Sequence, residues 1–491
     1  MKTRYLIAVA AAALITTGLT GQSPDDALRY SRQFYTGTAR FNGMGGAFTA
    51  LGGDLSSLIL NPAGTAFFRR TEFSVTPSMG YTGTRTFFTS SSEDLLYSFN
   101  FGQVGIVTPV VYNNTESGLV SVNVGYSYNM TNNFASNTLI TGTSSTSSMA
   151  DYWASISNGT FYPDLGGAAG FAYDAWLIDT ITATEGMQYA TVFSGYGEST
   201  VSTYGQMIRR VINNDGFGGE HSFAVGANFG NNLYIGATLG YSRFNYAGHY
   251  EHLETDQDNS IYDFSSFSYV DHYEADGSGL SLKAGFIYIP FDFLRFGLAV
   301  HSPVIYSVSE YYYEDLSSVF DNGDRYEFNS DAFRFSYRLT TPYRILGGVA
   351  LQIQKSALIS LDYEFVDYSI SRLGMASDGY DYYDENQSIK DIFTASHNIR
   401  AGAEYRLGSV YFRGGYGYYG TVFSKDEVNR DNFHTSLSGG IGFRQSNFFI
   451  DLAFTRLSDS MIYYMYNYQY VDPVTIETTR SNFSATVGFK F

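Results

Sequence analysis

The sequence predicts an all-β membrane protein in which about 14 antiparallel strands close into a transmembrane β-barrel. Three observations predict this class. Apolar and polar residues alternate with a period of two along most of the chain, as in strands with one apolar and one polar face. Aromatic residues are abundant, with 44 Tyr and 40 Phe, whereas Pro occurs only 9 times in 491 residues. Beyond the N-terminus, no apolar run is long enough for a transmembrane helix.

A soluble β-sandwich is the competing architecture, and the composition separates the two. A sandwich usually punctuates its strands with many Pro-containing turns. A membrane barrel instead carries aromatic girdles at both membrane interfaces. The girdle candidates are the Tyr-rich stretches 311–313, 382–383 and 461–470, where alternating segments meet polar loops. The composition therefore favours the barrel.

The barrel strands are predicted from the alternation alone. In the last one, residues 483–491, large apolar side chains occupy the odd positions and small or polar ones the even positions. The predicted strands cover residues 71–82, 98–112, 117–135, 217–230, 232–250, 275–289, 293–308, 333–353, 355–370, 395–406, 409–420, 433–444, 447–468 and 476–491. Their number is even, which puts both barrel ends on the periplasmic side.

The chain begins with the pattern of a secretory signal peptide, predicted at residues 1–21. Lys2 and Arg4 precede a short apolar core at 5–15 and small or polar residues at 16–21. The core is too short to span a bilayer as an anchor helix. The sequence therefore predicts export and cleavage.

Two further regions differ from the barrel strands. Residues 22–70 are rich in Gly and lack sustained alternation, so they are not predicted to be barrel strands. The barrel is predicted over residues 71–491, with a long extracellular insertion at 136–215. The insertion is too apolar for a freely solvated loop. We expect it to fold over the barrel mouth, either as a functional lid or as a passive cover.

Composition and motifs exclude several classes of function. The net charge of −18 repels phosphate backbones, so nucleic acid is not an expected partner. No nucleophile elbow, P-loop or zinc-protease motif occurs. We therefore predict no catalytic residue, no cofactor and no enzyme activity. His249 and His252 lie near acidic residues, but an exposed acidic loop explains them more simply, and no metal site is predicted.

One string in the Gly-rich segment resembles a known family. It comprises Arg40-Phe41-Asn42-Gly43-Met44-Gly45-Gly46 and, further on, Asn61-Pro62-Ala63-Gly64. The string is similar to the N-terminal hatch of the FadL/TodX family of outer-membrane channels for hydrophobic compounds, particularly the branch found in Bacteroidetes. The resemblance implies a 14-stranded barrel with the hatch, residues 22–70, inside its lumen. The hatch or gating candidates are Gly43, Gly45, Gly46, Asn61, Pro62, Ala63 and Gly64.

The resemblance also implies a function. It is the passive uptake of hydrophobic or amphipathic small molecules, such as long-chain fatty acids, across the outer membrane of a Gram-negative cell. Hatch gating and lateral release into lipid are implied as well. The expected partners are the ligand and outer-membrane lipid, and we expect a monomer. A general diffusion porin, or a surface adhesin or structural barrel, remains as an alternative.

Several arginines are predicted on the inward face of the barrel, because lipid-facing positions would not tolerate them. They are Arg400, Arg406, Arg413 and Arg444. The Arg fork suits the carboxylate of an amphipathic ligand. Internal ion pairs with Glu404, Asp362 or Asp451 are the favoured alternative explanation.

Overall fold

The computed structural model describes residues 23–112, 118–181, 187–194, 203–354 and 356–491, so the predicted signal peptide lies outside the described residues. The strands are β1 (Glu72–Phe87), β2 (Ser91–Tyr112), β3 (Leu119–Asn133), β4 (Ser136–Thr143), β5 (Ile178–Thr180), β6 (Tyr189–Thr191), β7 (Met207–Phe229), β8 (Leu233–Thr255), β9 (Ser266–Phe291), β10 (Leu294–His301), β11 (Ile305–Val319), β12 (Arg325–Asn329), β13 (Phe333–Thr340), β14 (Arg344–Ile353), β15 (Ala357–Asp367), β16 (Arg372–Gly374), β17 (Ala395–Leu407), β18 (Val410–Tyr419), β19 (His434–Arg444), β20 (Phe448–Tyr463) and β21 (Val474–Lys490). The α-helices are α1 (Pro24–Ser31), α2 (Ala39–Gly43), α3 (Ser57–Leu60), α4 (Met149–Ser157), α5 (Gly167–Asp174) and α6 (Tyr383–Ile392). Within the described ranges, no helix is long and apolar enough to cross a membrane.

The strands form a closed antiparallel barrel. The last strand, β21, pairs with the first, β1, from Glu72 opposite Lys490 to Phe87 opposite Thr475. The closed wall has 14 positions, as the alternation predicts. At some of these positions the wall is built from two consecutive strands that follow one another. These are β3 with β4, β10 with β11, β13 with β14, and β15 with β16. Closure leaves no free sheet edge along the β1–β21 junction, as lipid requires.

The observed strands agree with the predicted ones at their periplasmic ends and are longer at their extracellular ends. β8 continues to Thr255 and β9 begins at Ser266, beyond the predicted limits. The cause is the environment above the membrane, where outward residues such as Glu274 and Asp276 are polar. Both faces of the strand are then polar, so the alternation fades while the pairing continues.

The outward face carries an apolar band between two rings of aromatic side chains. Exposed members of the band include Leu239, Leu282, Leu361 and Leu452. The upper ring, which we call the outer girdle, comprises Tyr81, Tyr97, Tyr126, Tyr241, Tyr363, Tyr416 and Tyr418. The lower ring contains Phe73, Tyr112, Tyr288, Phe291, Phe293, Tyr405, Phe412 and Phe489. This pattern is that of a barrel embedded in a bilayer.

The predicted girdle stretches were wrong. Tyr311–Tyr313 lies in β11, where Tyr312 pairs across to Tyr273 above the apolar band. Tyr382 and Tyr466 are each only 1% exposed and belong to buried clusters. Tyr density alone does not separate a membrane interface from an aromatic core, because Tyr suits both.

Residues 24–68 form the hatch inside the lower lumen. We call residues 24–36, which contain α1, the strap, and residues 37–68, which contain α2 and α3, the hatch core. Inward glycines of the wall touch the hatch core directly. They are Gly226, Gly236, Gly285, Gly297, Gly348, Gly402, Gly415 and Gly440. A side chain at any of these positions would collide with hatch atoms. The wall therefore has glycine where the hatch core packs against it.

Inward polar side chains of the wall bind the backbone of the hatch core. Asn123 Nδ2 donates to Thr65 O at 2.9 Å and Lys283 Nζ donates to Ile59 O at 3.1 Å. Asp362 Oδ2 accepts from Thr49 N at 2.8 Å. These bonds come from strands on several sides of the lumen and satisfy hatch backbone groups that have no place in a sheet. The hatch core is thereby fixed to the wall.

The insertion forms the upper closure of the barrel. The upper part of β7 extends the wall and pairs with β4, and the described parts of the segment between β4 and β7, which carry α4, α5 and the paired strands β5 and β6, form a lid. Trp153 packs on Phe267 and Tyr269 of β9 at centroid distances of 5.5 and 5.4 Å. Burial raises the pKa of the Asp151 carboxyl in α4. A shared apolar core thus joins the lid to the barrel tips.

The buried Glu254 holds one end of the lid. Its Oε1 accepts from Met149 N, the first residue of α4, at 2.8 Å, and its Oε2 accepts from Gln206 Nε2 at 2.9 Å. A carboxylate at a helix N-terminus is stabilised by the unpaired N–H groups there. The lid is therefore fixed by polar contacts as well as by its apolar core.

Three neighbouring wall positions are interrupted at one height. The breaks are residues 302–304, 341–343 and 368–371. They contain Pro303 and Pro342, which have no N–H for the ladder. Pairing resumes above and below, so that β9 pairs with β10 and also with β11. We call this line of breaks the seam.

Substitutions at the adjacent glycines Gly414 and Gly415 test whether the wall needs glycine where it contacts the hatch core. We predict that Gly415→Val lowers the stability of the folded protein by about 1–3 kcal/mol, because its side chain would collide with Gly45 N of the hatch core. A displaced hatch would also raise ion conductance in planar bilayers. Gly414→Val is the matched control, since the space beside Gly414 is open. Equal thermal unfolding and conductance in the two variants would contradict the prediction.

Candidate functional site

A cavity of about 540 Å³ lies in the lumen between the hatch core and the lid. Phe41, Gly45 and Gly46 of the hatch core form part of its floor. Its apolar lining includes Leu28, Phe34, Met130, Ile212, Leu457, Met461 and Ile476. Its polar lining includes Asn100, Asn132, Asn432, Tyr250, Tyr419 and Tyr463. The cavity is therefore amphipathic and large enough for a small organic molecule.

Four arginines line this cavity, namely Arg29, Arg32, Arg400 and Arg480. Arg29 and Arg480 are paired with Asp26 and Asp459, so Arg32 and Arg400 are the candidate anion sites. The Arg32 guanidinium of the strap lies 5.2 Å from the centroid of the Phe34 ring, and no carboxylate of the described residues forms an ion pair with it. Burial lowers the pKa of Arg32 from its ordinary value, although Arg stays charged at neutral pH. Arg400 Nη1 pairs with Glu364 at 3.0 Å, while its Nη2 is buried without a hydrogen-bond partner. Both guanidinium groups retain donors for an anion.

The other predicted arginines lie elsewhere. Arg413 pairs with Glu404 and Asp451, each at 2.7 Å, and Arg444 pairs with Asp451 at 2.8 Å. These ion pairs lie beside the hatch core, where Glu404 also binds Arg40 at 3.0 Å. They fit the favoured explanation by internal pairing.

Arg406 lies at the periplasmic end of β17. It is exposed, and its Nε donates to Gly408 O at 2.9 Å. A residue at this rim does not line the lumen cavity. Of the predicted arginines, Arg400 is the one that the structure brings to the cavity.

The predicted glycines of the hatch are at contact points with the wall. Gly43 packs on Gly440, and a Cβ at Gly43 would lie 3.3 Å from Gly440 Cα. Gly45 and Gly46 have φ of 63° and 73°, in the left-handed region that Gly adopts readily. Gly45 abuts the backbone of β18 at Gly415. These positions need Gly for both backbone conformation and close approach.

The Asn61–Gly64 element fixes a turn of the hatch core. Asn61 Oδ1 accepts from Ala63 N at 3.2 Å, which caps the 3₁₀ helix Pro62–Phe67. Asn61 Nδ2 donates to Thr49 O at 2.6 Å and to Phe286 O of β9 at 3.3 Å. Pro62 occupies the first helical position, where its missing N–H is not needed. Gly64 N donates to Asn61 O at 2.9 Å, so the whole element stays compact.

The barrel wall has an opening between β2 and β3. β2 pairs with β3 only from Tyr112 up to Gln103, which lies opposite Asn129. Above Gln103, β2 pairs only with β1, because β3 and β4 turn into the lumen. Inward hydroxyls of β1 then bond the backbone of this inward segment, with Thr84 Oγ1 donating to Asn137 O at 2.5 Å. The upper half of β2 therefore has a free edge.

The strap occupies the edge of β3 that β2 has left. Phe34 N donates to Thr131 O at 2.8 Å, and Thr36 N donates to Met130 O at 3.2 Å. Thr36 Oγ1 also donates to Met130 O at 2.6 Å. Asn129 Nδ2 returns a bond to Thr36 O at 3.2 Å. The strap thus replaces β2 as the hydrogen-bonding neighbour of β3 over these residues.

The opening, which we call the side opening, lies between the lumen cavity and the lipid face. It contains a pocket of about 620 Å³ bounded by residues 96–100 of β2 and by parts of β3, β7, β8 and β9. Ser98, Asn100, Asn133 and Asn214 line both this pocket and the lumen cavity. Tyr97 and Phe99, both 67% exposed, stand on its β2 rim at the top of the apolar band. The lumen cavity and this pocket therefore have four lining residues in common.

Sequence reasoning did not find the side opening or Arg32. The one available signal was the string of Asn residues at 129, 132 and 133 near the end of a predicted strand. Two of these amides bind the strap, since Asn132 Nδ2 donates to Arg32 O at 2.7 Å. Amides on an otherwise apolar strand indicate that the backbone nearby needs side-chain partners.

Comparison with known proteins gives the fold a context. No family model and no curated protein matches the chain. Among solved structures, the chain is similar to the toluene transporter TodX of P. putida, with 12% identity over 92% of this chain and 98% of that one and a TM-score of 0.53. It is also similar to a Pseudomonas aeruginosa FadL homologue, with 11% identity over 94% and 100% and a TM-score of 0.54.

These likenesses concern the fold, since the identities are low. They agree with the resemblance of the hatch sequence, and they extend it over nearly the whole barrel. The apolar band between aromatic rings places the barrel in a membrane. The chain thus has the fold of the FadL/TodX outer-membrane channels, a closed 14-stranded β-barrel with an N-terminal hatch in its lumen.

Proposed function

We propose that this protein is a passive outer-membrane channel that takes up hydrophobic or amphipathic small molecules and releases them sideways into the membrane. The observation that carries the proposal is the side opening, where β2 and β3 part and where the pocket beside Tyr97 and Phe99 shares lining residues with the lumen cavity. The hatch core fills the lumen below, so a continuous aqueous pore is not the route. The free energy of an apolar solute falls when it passes an apolar rim and enters lipid. No catalytic step is part of the proposal.

The neighbours support the class of ligand. One of them is described as a toluene transporter and the other as a FadL homologue. In this chain the cavity adds Arg32 and Arg400 to an apolar lining, which suits a molecule with an apolar body and a carboxylate. A medium-chain or long-chain fatty acid has this chemistry. We infer that its carboxylate binds at Arg32, with Arg400 beneath it.

The strap is the element that we propose as the gate. The hatch core is bonded to many strands, whereas the strap lies at the cavity and holds the edge of β3. β2 and the strap are alternative neighbours for this edge, so displacement of the strap allows β3 to move toward β2. A ligand at Arg32 acts directly on the strap, because Arg32 O accepts from Asn132 of β3. Ligand binding and the shape of the opening are thereby linked.

Closing the side opening with a disulfide tests lateral release. Asn133 Nδ2 and Ser98 Oγ lie 3.1 Å apart across it, and the chain has no Cys of its own. We predict that oxidised S98C/N133C abolishes uptake of radiolabelled dodecanoate by cells that lack other uptake channels. Reduction with dithiothreitol restores uptake, because only the cross-link obstructs the exit.

A second cysteine pair provides the matched control for this experiment. Ser309 and Ser336 lie on the paired strands β11 and β13, with their hydroxyls 3.3 Å apart. A disulfide in S309C/S336C joins strands that are already neighbours, so uptake stays at the wild-type level. Unchanged uptake in oxidised S98C/N133C would show that ligand leaves by another route.

A disulfide that fixes the hatch core to the wall tests whether the hatch core or the strap is the gate. Asn42 Nδ2 donates to Ser484 Oγ of β21 at 3.1 Å, so N42C/S484C can tie α2 to the wall. We predict that dodecanoate uptake is the same in the oxidised and reduced forms, since the strap remains free. Loss of uptake on oxidation would mean that the hatch core itself must move.

Removing the charge at Arg32 tests the head-group site. We predict that Arg32→Ala weakens dodecanoate binding about 10-fold to 100-fold, because a hydrogen bond to a charged group contributes about 1.5–3 kcal/mol. Toluene binding changes little, since toluene has no carboxylate. Isothermal titration in detergent measures both. Arg406→Ala is the control, because Arg406 lies at the periplasmic rim, and equal losses in the two variants would rule out the assignment.

A further inference from the structure

Two histidines face each other on the outer surface of the barrel. His249 on β8 lies directly opposite His272 on β9 in the strand register. Their Nδ1 atoms are 3.2 Å apart. The spacing in sequence instead pairs His249 with His252, but His252 points inward, is 1% exposed and bonds Glu254 at 3.0 Å. The chemically relevant neighbour of His249 is therefore 23 residues away in the chain.

Carboxylates surround this histidine pair on the same face. In the rows of the sheet next to the pair, Asp215 and Glu274 lie on one side and Glu251 and Asp315 on the other. Glu251 is paired with Arg209 at 3.2 Å. The other three form no ion pair with Lys or Arg among the described residues, and the local field is therefore negative. Such a cleft concentrates cations.

His272 has a carboxylate near the far side of its ring and an aromatic ring stacked on its face. Its Nε2 lies 3.7 Å from Asp315 Oδ2, on the side of the ring away from His249. Its ring stacks on Tyr313 at a centroid distance of 4.1 Å and an angle of 14°. At 3.7 Å, His272 Nε2 and Asp315 Oδ2 are not hydrogen-bonded. The negative charge of Asp315 still favours a proton on Nε2, which leaves the Nδ1 lone pair for a metal. Stacking on Tyr313 holds the ring in that orientation.

We propose that His249 and His272 form a binding site for a divalent transition-metal ion, with Cu²⁺ preferred over Zn²⁺. Two nitrogens that bind one such ion at about 2.0–2.1 Å lie roughly 3 Å apart, which matches the spacing of the two Nδ1 atoms. Cu²⁺ binds imidazole more tightly than other ions of its row. No group of three or more His, Cys, Asp or Glu side chains is arranged for a metal within the described ranges. Water completes the coordination shell.

The site lies on the rim of the side opening, because both histidines line its pocket together with Glu274 and Asp215. The inference goes beyond the proposed transport function and does not depend on it. A protein that fails to transport any solute still binds the ion if the geometry is right. The competing explanation is a hydrogen bond between the two rings, which needs one Nδ1 to carry a proton.

Titration of the purified full-length protein in detergent with CuCl₂ distinguishes the two explanations. We expect one bound Cu²⁺ per chain by calorimetry, and a paramagnetic resonance spectrum with coupling to two imidazole nitrogens. His249→Ala and His272→Ala each lower the affinity at least about tenfold. Asp315→Asn lowers it by a smaller factor, since it acts through His272.

The control is His221→Ala, which removes an outward histidine bonded to Tyr126 at 2.9 Å and leaves the pair intact. It should bind Cu²⁺ as the wild type does. Folding of every variant is checked by its circular dichroism and by its mobility in unheated gels. The proposal is overturned if folded His249→Ala and His272→Ala bind Cu²⁺ like the wild type, or if the wild type shows coupling to fewer than two nitrogens.

Discussion

The structure depends on one constraint, that backbone N–H and C=O groups in a membrane must find partners inside the protein. The β1–β21 pairing closes the wall and satisfies most of them. At the side opening the constraint is met for β3 alone, and the upper half of β2 keeps a free edge. There β2 keeps only β1 as a neighbour, and the strap supplies the bonds that β3 loses, at Met130 and Thr131. An opening in a barrel wall is thus possible because another segment of the same chain covers the edge of β3.

The fit between wall and hatch core follows from the same constraint. Hatch carbonyls inside the lumen need hydrogen-bond donors. Asn123 reaches them from β3, and Lys283 and His301 reach them from the neighbouring strands β9 and β10. The wall glycines bring the backbones close enough for these short side chains to act. Buried ion pairs such as Arg413 with Asp451 sit in the same layer. The pairs are best understood as parts of the plug, whereas the partly unpaired Arg400 faces the cavity.

The barrel was predictable from sequence because its alternation reports one physical difference, lipid outside and water or hatch inside. It gave the number and order of the strands and the periplasmic ends. It did not give the upper ends, where residues such as Glu274 face water. The hatch was found through the string from Arg40 to Gly64. Its contacts depend on the shape of the wall.

The candidate site was harder to predict because its parts are distant in sequence. Arg400 lines the cavity, whereas Arg413 and Arg444 form ion pairs. The pattern of alternation is the same for all three arginines and does not distinguish them. Arg32 carried no signal, since it lies in a segment with no regular period. The partner of His249 was hidden for the same reason, because only the register of β8 against β9 brings His272 beside it. The register between paired strands is the information that a local sequence pattern lacks.

At three neighbouring wall positions, the seam separates a lower part of the wall from an upper part. Below it the hatch core stiffens the wall, and above it the lid does so through Trp153 and its neighbours. At the seam itself the regular ladder is replaced by isolated hydrogen bonds, from Ser302 N to Leu282 O at 2.8 Å and from Thr341 N to Val304 O at 3.0 Å, next to Pro303 and Pro342. Ala27 and Tyr30 of α1 pack there with Val304 and Tyr368. α1 thus packs against a part of the wall that resists deformation less than the continuous strands β7, β8 and β9, because fewer ladder hydrogen bonds cross it.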